Sequence, residues 1–204
     1  MPSHRGTKRV RNLLASTGVT GLLVAGTVTV ASALQGTVPG NAASSWQTNG
    51  TVSAIAAANG IVYLGGDFTS VRPPGSAAGS GEVARNHLAA FNASTGALIT
   101  SFNHNVNAAV KVLSISADGQ TVYAGGDFTT VDGVARNRIA SFAAGSGALT
   151  SWNPNANGRV SGIAATATTV YVGGAFSTIG GRTETRVAAL NPSTGAALAT
   201  VNTA

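Results

Sequence analysis

Two aspartates stand where the sequence could support chemistry. Asp67 and Asp127 each follow a Gly-Gly pair, in the closely matching phrases VYLGGDFTSV and VYAGGDFTTV. Carboxylates brought to one channel by such a repeat could hold calcium, or divide acid and base roles between them. The third copy, VYVGGAFSTI, has Ala175 in that place, so the repeat does not require a ring of carboxylates. The reading left standing is structural, with an aspartate at a strand end accepting backbone hydrogen bonds.

His87 and His104 are the histidines beyond the N-terminal segment. Aligning the repeats puts His87 opposite Arg138 and Arg186, a place for an exposed cation on a strand. It puts His104 opposite Pro154 in a loop. A zinc centre needs three or four convergent ligands, and neither histidine has a partner nearby in sequence. The sequence therefore assigns no catalytic residue, no metal ligand and no cofactor. Asparagine is more suggestive: Asn103, Asn105 and Asn107 recur as Asn153, Asn155 and Asn157. Turn formation accounts for them, because asparagine tolerates left-handed backbone and caps turns. The functional alternative is a ligand rim of Asn103, Asn105, Asn153, Asn155 and Trp152, in which amides beside an aromatic ring hold a sugar. Phe102 and Trp46 could assist it, although large aromatics more often face a core.

The elements carrying these residues follow from the repeat itself. Each copy holds four short β-branched and aromatic segments bounded by Gly, Asn and Asp, which read as strands joined by tight turns. In the second copy these are VKVLSISAD (110–118), TVYAGGDFTTV, RNRIASFAA (136–144) and GALTSWNPN (147–155), with turns at Asp118-Gly119 and Asp132-Gly133. The first copy carries an insertion, RPPGSAAGSGEVA (72–84), of the kind that maps to a surface loop. Four antiparallel strands per unit of about 50 residues describe a β-propeller blade. The expected fold is all-β, with about three blades near 52–105, 110–155 and 160–204. Its structural motif is Tyr63, Gly65, Gly66 and Phe68, repeated as Tyr123, Gly125, Gly126 and Phe128, then as Tyr171, Gly173, Gly174 and Phe176. The glycine pairs allow close backbone approach and unusual φ, and the phenylalanines fill the space between blades. Because propellers close with four to eight blades, the chain reads as part of a larger ring. WQTNGTV (46–52) echoes WNPNANGRV (152–160), which places Trp46 where a fourth strand would finish and could complete the last blade of that ring.

The net charge of +6 concentrates at the N-terminus. Arg5, Lys8, Arg9 and Arg11 precede an apolar run from Leu13 to about Leu34, the pattern of a secretory signal peptide over residues 1–42. Cleavage is expected after Ala42, where Pro39 and Gly40 keep the segment extended, or alternatively after Ala33. Beyond it, eight basic side chains face six acidic ones, a balance of about +2 without clustering. That offers no stripe for a phosphate backbone, so nucleic acid is excluded as a partner. Membrane contact is expected only during export. With no cysteine, the exported domain must rely on its core and not on disulfides.

The motif YxGG[DA]F, followed by RNx[LI]AxF, then TGAL or SGAL and an aromatic before NxN, resembles the secreted bacterial delta-60-repeat propellers. These are distant cousins of the kelch and NHL propellers. The resemblance covers residues 46–204, with departures in the third copy at Thr183, Glu184 and Leu190. It implies an extracellular or cell-wall-associated propeller and brings no catalytic residues to carry over. The leading expectation is a secreted, non-catalytic module that presents a loop face to a protein or polysaccharide at the cell surface. Two alternatives stand beside it. One is the N-terminal part of an extracellular propeller enzyme of glycosidase, lyase or quinoprotein type, with its active groups in other blades. The other is a structural spacer displaying C-terminal modules. The oligomeric state is left open.

Overall fold

The structure, a computed structural model, describes residues 45–199, which belong to one compact unit, Ala42–Ala204. The expected signal peptide over 1–42, with both of its cleavage positions, lies outside the described residues, as do residues 200–204. The first repeat forms β1 (Gln47–Thr48), β2 (Thr51–Ala58), β3 (Ile61–Asp67), β4 (Ser70–Arg72), β5 (Val83–Ala84) and β6 (Leu88–Asn92). The second forms β7 (Val110–Ile115), β8 (Thr121–Gly126), β9 (Thr130–Val131), β10 (Val134–Ala135) and β11 (Ile139–Ala143). The third forms β12 (Val160–Ala165), β13 (Val170–Gly174), β14 (Thr178–Ile179), β15 (Arg182–Thr183) and β16 (Val187–Leu190).

Each repeat builds an antiparallel three-stranded meander, β2-β3-β6, β7-β8-β11 and β12-β13-β16. The turns follow their sequence. Asn59-Gly60, Asp132-Gly133 and Gly180-Gly181 all hold positive φ at both positions, which two-residue hairpins of the right twist demand. The fold departs from the sequence reading in two ways. The phrase after each Gly pair leaves the main sheet and makes a hairpin of its own, β4-β5, β9-β10 or β14-β15, and the 72–84 insertion extends the first of these. The fourth segment is also reduced to a single antiparallel bridge: Phe91 to Leu98, Phe142 to Leu149 and Leu190 to Ala197. In the second repeat it keeps two hydrogen bonds, Ala143 N to Ala148 O and Thr150 N to Ser141 O, before the chain crosses to the next blade.

The core lies between blades. Tyr63, Leu88 and Ala90 of the first meet Val110, Val122, Phe128 and Phe142 of the second. Tyr123 and Ile139 of the second meet Val160, Val170, Val172 and Phe176 of the third. Phe68 packs on the far side of the first blade with Val71, Phe91 and Trp46. Burying each phenylalanine contributes about 2–3 kcal/mol. The Tyr63 hydroxyl adds a cross-blade hydrogen bond to Ala144 O at 2.6 Å, and burial raises its pKa.

The glycine pairs serve contact and not unusual φ, since none of the six has a positive φ. A Cβ on Gly65 would lie 2.5 Å from Val110 Cγ1, and one on Gly125 2.5 Å from Val160 Cγ1. The second glycine of each pair faces a β-bulge in the neighbouring strand of its own blade. A Cβ there would lie 2.0 Å from Thr51 O at Gly66, 2.2 Å from Ala109 O at Gly126 and 2.0 Å from Arg159 O at Gly174. Backbone cannot yield as a side chain can. Gly126→Ala is therefore expected to cost about 2–3 kcal/mol in urea denaturation, near the upper range for overpacking. Gly145→Ala, which meets nothing within 4 Å, should stay within about 0.5 kcal/mol. Equal stability of the two variants would refute the close-approach role.

Candidate functional site

The asparagines sit on the segments that carry the chain from one blade to the next. These segments are extended, so side chains alternate between the interior and solvent. Phe102, His104 and Val106 point in while Asn103, Asn105 and Asn107 are exposed. Trp152, Pro154 and Ala156 likewise point in, leaving Asn153, Asn155 and Asn157 exposed.

The exposed asparagines divide by partner. Asn107 Oδ1 accepts from Thr129 N and Thr130 N at 2.8 and 3.0 Å, and its amide donates to Thr129 Oγ1. Asn157 treats Ser177 and Thr178 in the same way, and Asn49 treats Thr69 and Ser70. These three fasten each small hairpin to its crossing segment. They also correct the register of the N-terminal echo. With Asn49 matching Asn107 and Asn157, Trp46 falls at the position of His104 and Pro154, not Trp152. Its ring packs 6.1 Å from Phe91, as the His104 ring packs 4.6 Å from Phe142.

The rim residues lie elsewhere on the same segments. Asn105 Oδ1 accepts from Asn86 Nδ2 at 2.8 Å, and Asn155 Oδ1 accepts from Asn137 Nδ2 at 2.6 Å, both in the open. Asn103 Oδ1 accepts from Arg85 at 3.2 Å, and Asn153 Nδ2 reaches Ala135 O at 3.5 Å. Beside Asn155 a shallow cleft of about 290 Å³ is lined by Thr178, Arg182, Thr183 and the backbone of the β14-β15 turn. Trp152 does not join this rim. It is buried, its ring edge-on to Tyr123 at 5.0 Å and its Nε1 donating to Asn191 O at 3.0 Å, so it offers no stacking face. Phe102 is buried in the same way against Tyr63.

The ionisable candidates are held by partners that the sequence does not bring together. His104 Nδ1 lies 2.6 Å from Asp132 Oδ2, and its Nε2 lies 2.7 Å from Gly147 O. A His–Asp pair invites a catalytic reading, but both ring nitrogens are engaged and the ring is buried between Phe102 and Phe142. It ties the crossing segment to the β9-β10 turn. Asp127 pairs with Arg159 of the next blade at 2.5 Å, whereas Asp67 is exposed 3.6 Å from His87. The two carboxylates thus face separate partners and do not share a channel. His87, Arg138 and Arg186 share a left-handed backbone, with φ of 64°, 65° and 67°, and each precedes its strand instead of standing on it. Among the described residues no group of three His, Cys, Asp or Glu could hold a metal ion.

Sequence reasoning missed a recurrent buried arginine. Arg85 donates to Ala84 O, Asn103 Oδ1 and Thr100 O, and Arg136 donates to Ala135 O and Thr150 O. Thr100 and Thr150 lie where the fourth segment leaves its sheet, so the guanidinium satisfies carbonyls that a longer strand would have paired. Burial pushes the Arg85 guanidinium below its usual pKa, and Nε of both arginines has no hydrogen-bond partner among the described residues. The signal was present in the RN dipeptide of both repeats.

Comparison with known proteins places the fold and little else. No family model matches the chain, and no curated protein matches it. The crystal structure of RRP9 WD40 repeats superposes with a TM-score of 0.50 at 12% identity, covering 77% of this chain and 41% of that one. The computationally designed Ika8 protein gives a TM-score of 0.44 at 15% identity, covering 72% of this chain and 35% of that one. The chain thus spans well under half the length of either. The all-β architecture with antiparallel meanders and a WD40 neighbour makes this a β-propeller fold built of repeats.

Replacing Arg136 by Lys keeps the charge and loses the planar fork that reaches Ala135 O and Thr150 O together. Arg136→Lys is expected to destabilise by about 2–3 kcal/mol in urea denaturation, whereas the exposed Arg182→Lys should change stability by less than about 0.5 kcal/mol.

Proposed function

We propose that the chain is a secreted propeller module of the delta-60-repeat type, whose asparagine-bearing loop face binds an extracellular polysaccharide and performs no chemistry on it. The observation that carries this reading is the open cleft beside Asn155, lined by the polar residues Asn155, Thr178, Arg182 and Thr183. Such a mixture of donors and acceptors suits sugar hydroxyls, which need many modest polar partners and no single strong charge. The cleft stands on the crossing segment and on the β14-β15 hairpin, which Asn157 fastens together through backbone hydrogen bonds. The Asn86–Asn105 pair presents a second, related surface one blade away. Secretion is in keeping with the N-terminal charge pattern. The delta-60 assignment rests on the repeated YxGG[DA]F and RNx[LI]AxF phrases.

The test is a glycan and polysaccharide array probed with the full chain, followed by titration of whatever binds. Arg182→Ala and Asn155→Ala are each expected to weaken binding about tenfold, near the net worth of one hydrogen bond to a charged or well-placed group. Binding to no polysaccharide, or binding indifferent to both changes, rejects the sugar-rim reading.

A further inference from the structure

The two junctions between blades share one plan and differ at the turn ends of their strands. At the first junction Asn59, in the β2-β3 turn, donates its amide to Gly119 O at 2.8 Å, and Tyr63 donates to Ala144 O at 2.6 Å. Ala144 N in turn donates to Gln120 O at 2.8 Å. The space left beside Tyr63 and Ala144 is about 10 Å³, room for one water at most.

At the second junction each of these ties is changed. Strand register puts Tyr123 where Tyr63 stands and Pro192 where Ala144 stands. Proline has no N–H, so the bond from Ala144 N to its own blade's turn has no equivalent there. Asp118 precedes the turn glycine as Asn59 does, but a carboxylate accepts and cannot donate to a carbonyl across the junction. Trp152, in the place of Phe102, donates its Nε1 to Asn191 O at 3.0 Å. The Tyr123 hydroxyl is left without a hydrogen bond to any described residue, although Tyr123 is only 2% exposed. Beside it lies a cleft of about 300 Å³, lined by Asp118, Thr121, Tyr123, Thr166, Pro192 and Ser193.

This lining is polar, and Asp118 is its one charged residue. Ser116 Oγ and Gln120 N donate to Asp118 Oδ1 at 2.5 and 2.9 Å, and these bonds hold its carboxyl below the usual carboxylate range. Burial, and after it the Asp118 charge, raises the pKa of Tyr123, so the phenol stays a neutral hydroxyl. We infer that this cleft binds a small ligand carrying a primary ammonium group on a hydroxylated body, the ammonium meeting the Asp118 carboxylate and a ligand hydroxyl meeting that of Tyr123. A cation matches the single charge of the lining, whereas an anion would be repelled by it. An apolar ligand would leave the Tyr123 hydroxyl buried without a partner, which is costly. The volume is at the lower end of the range for small-molecule sites, about 300–1,000 Å³. The walls come from the second and third blades and share no residue with the cleft beside Asn155, so the inference does not rest on the polysaccharide reading.

Calorimetric titration of the full chain with glucosamine, and with glucose as its neutral match, tests the site. Glucosamine is expected to bind, and glucose to bind about tenfold more weakly or less. Asp118→Asn keeps an acceptor for Ser116 and Gln120 and removes the charge, so it should weaken glucosamine binding about tenfold while leaving the melting temperature unchanged. Tyr123→Phe keeps the ring against Trp152 and should weaken binding about threefold to tenfold. Asn155→Ala should leave glucosamine affinity as it is, which separates this site from the asparagine face. Absence of glucosamine binding, equal affinity for the two sugars, or an affinity indifferent to Asp118→Asn and Tyr123→Phe overturns the proposal. Loss of glucosamine binding on Asn155→Ala alone assigns the amine to the other cleft and overturns it equally.

Discussion

A valine methyl seated over a strand glycine holds each blade to the next, and much of the fold follows from keeping that seat empty of side chain. At Gly65 and Gly125 the arriving valine comes closer than a Cβ would permit. The blades can then pack flat enough for Tyr63 to reach across to Ala144 O and for Phe128 to fill the remaining gap. The bulge facing the glycine pair adds local twist, which turns the arriving strand toward its seat. The second repeat gives Val110 to Gly65 and receives Val160 at Gly125, so the two blade contacts share one geometry.

The polar face depends on the same arrangement at one remove. The crossing segments must run extended to span from one blade's outer edge to the next blade's first strand, and extension forces their side chains to alternate. Aromatic and apolar residues go inward, and asparagines go outward in both segments. Asn107 and Asn157 then fasten the small hairpins, while Arg85 and Arg136 take up carbonyls that a shortened fourth strand leaves unpaired. The cleft beside Asn155 therefore sits on a frame held by hydrogen bonds.

The blade unit was legible in the sequence because the YxGG phrase, the hairpin glycines and the inward aromatics are local signals. What escaped depended on distance. The separate small hairpin is not visible from TTVDGVARN, since strand propensity continues through it and the contacts that hold it, from Asn107 and His104, come from the crossing segment. His104 seemed isolated because Asp132 lies 28 residues away, and Trp46 matched Trp152 by eye although the fastened asparagine sets a register two residues different. The role of Arg136 depends on carbonyls at Ala135 and Thr150, the second of them 14 residues away. Of the candidate rim, the exposed asparagines could be read from their spacing of two. The burial of Trp152 follows from the same spacing, one position out of phase.

The strand glycine is an absence of side chain matched to a particular valine. A double-mutant cycle on Gly65→Ala and Val110→Ala, read by urea denaturation, tests it most directly. The double variant should be more stable than the sum of the single losses by about 1–2 kcal/mol, because the shorter side chain makes room for the new methyl. Additivity within about 0.5 kcal/mol would mean that the glycine does not serve this valine and acts through the backbone alone.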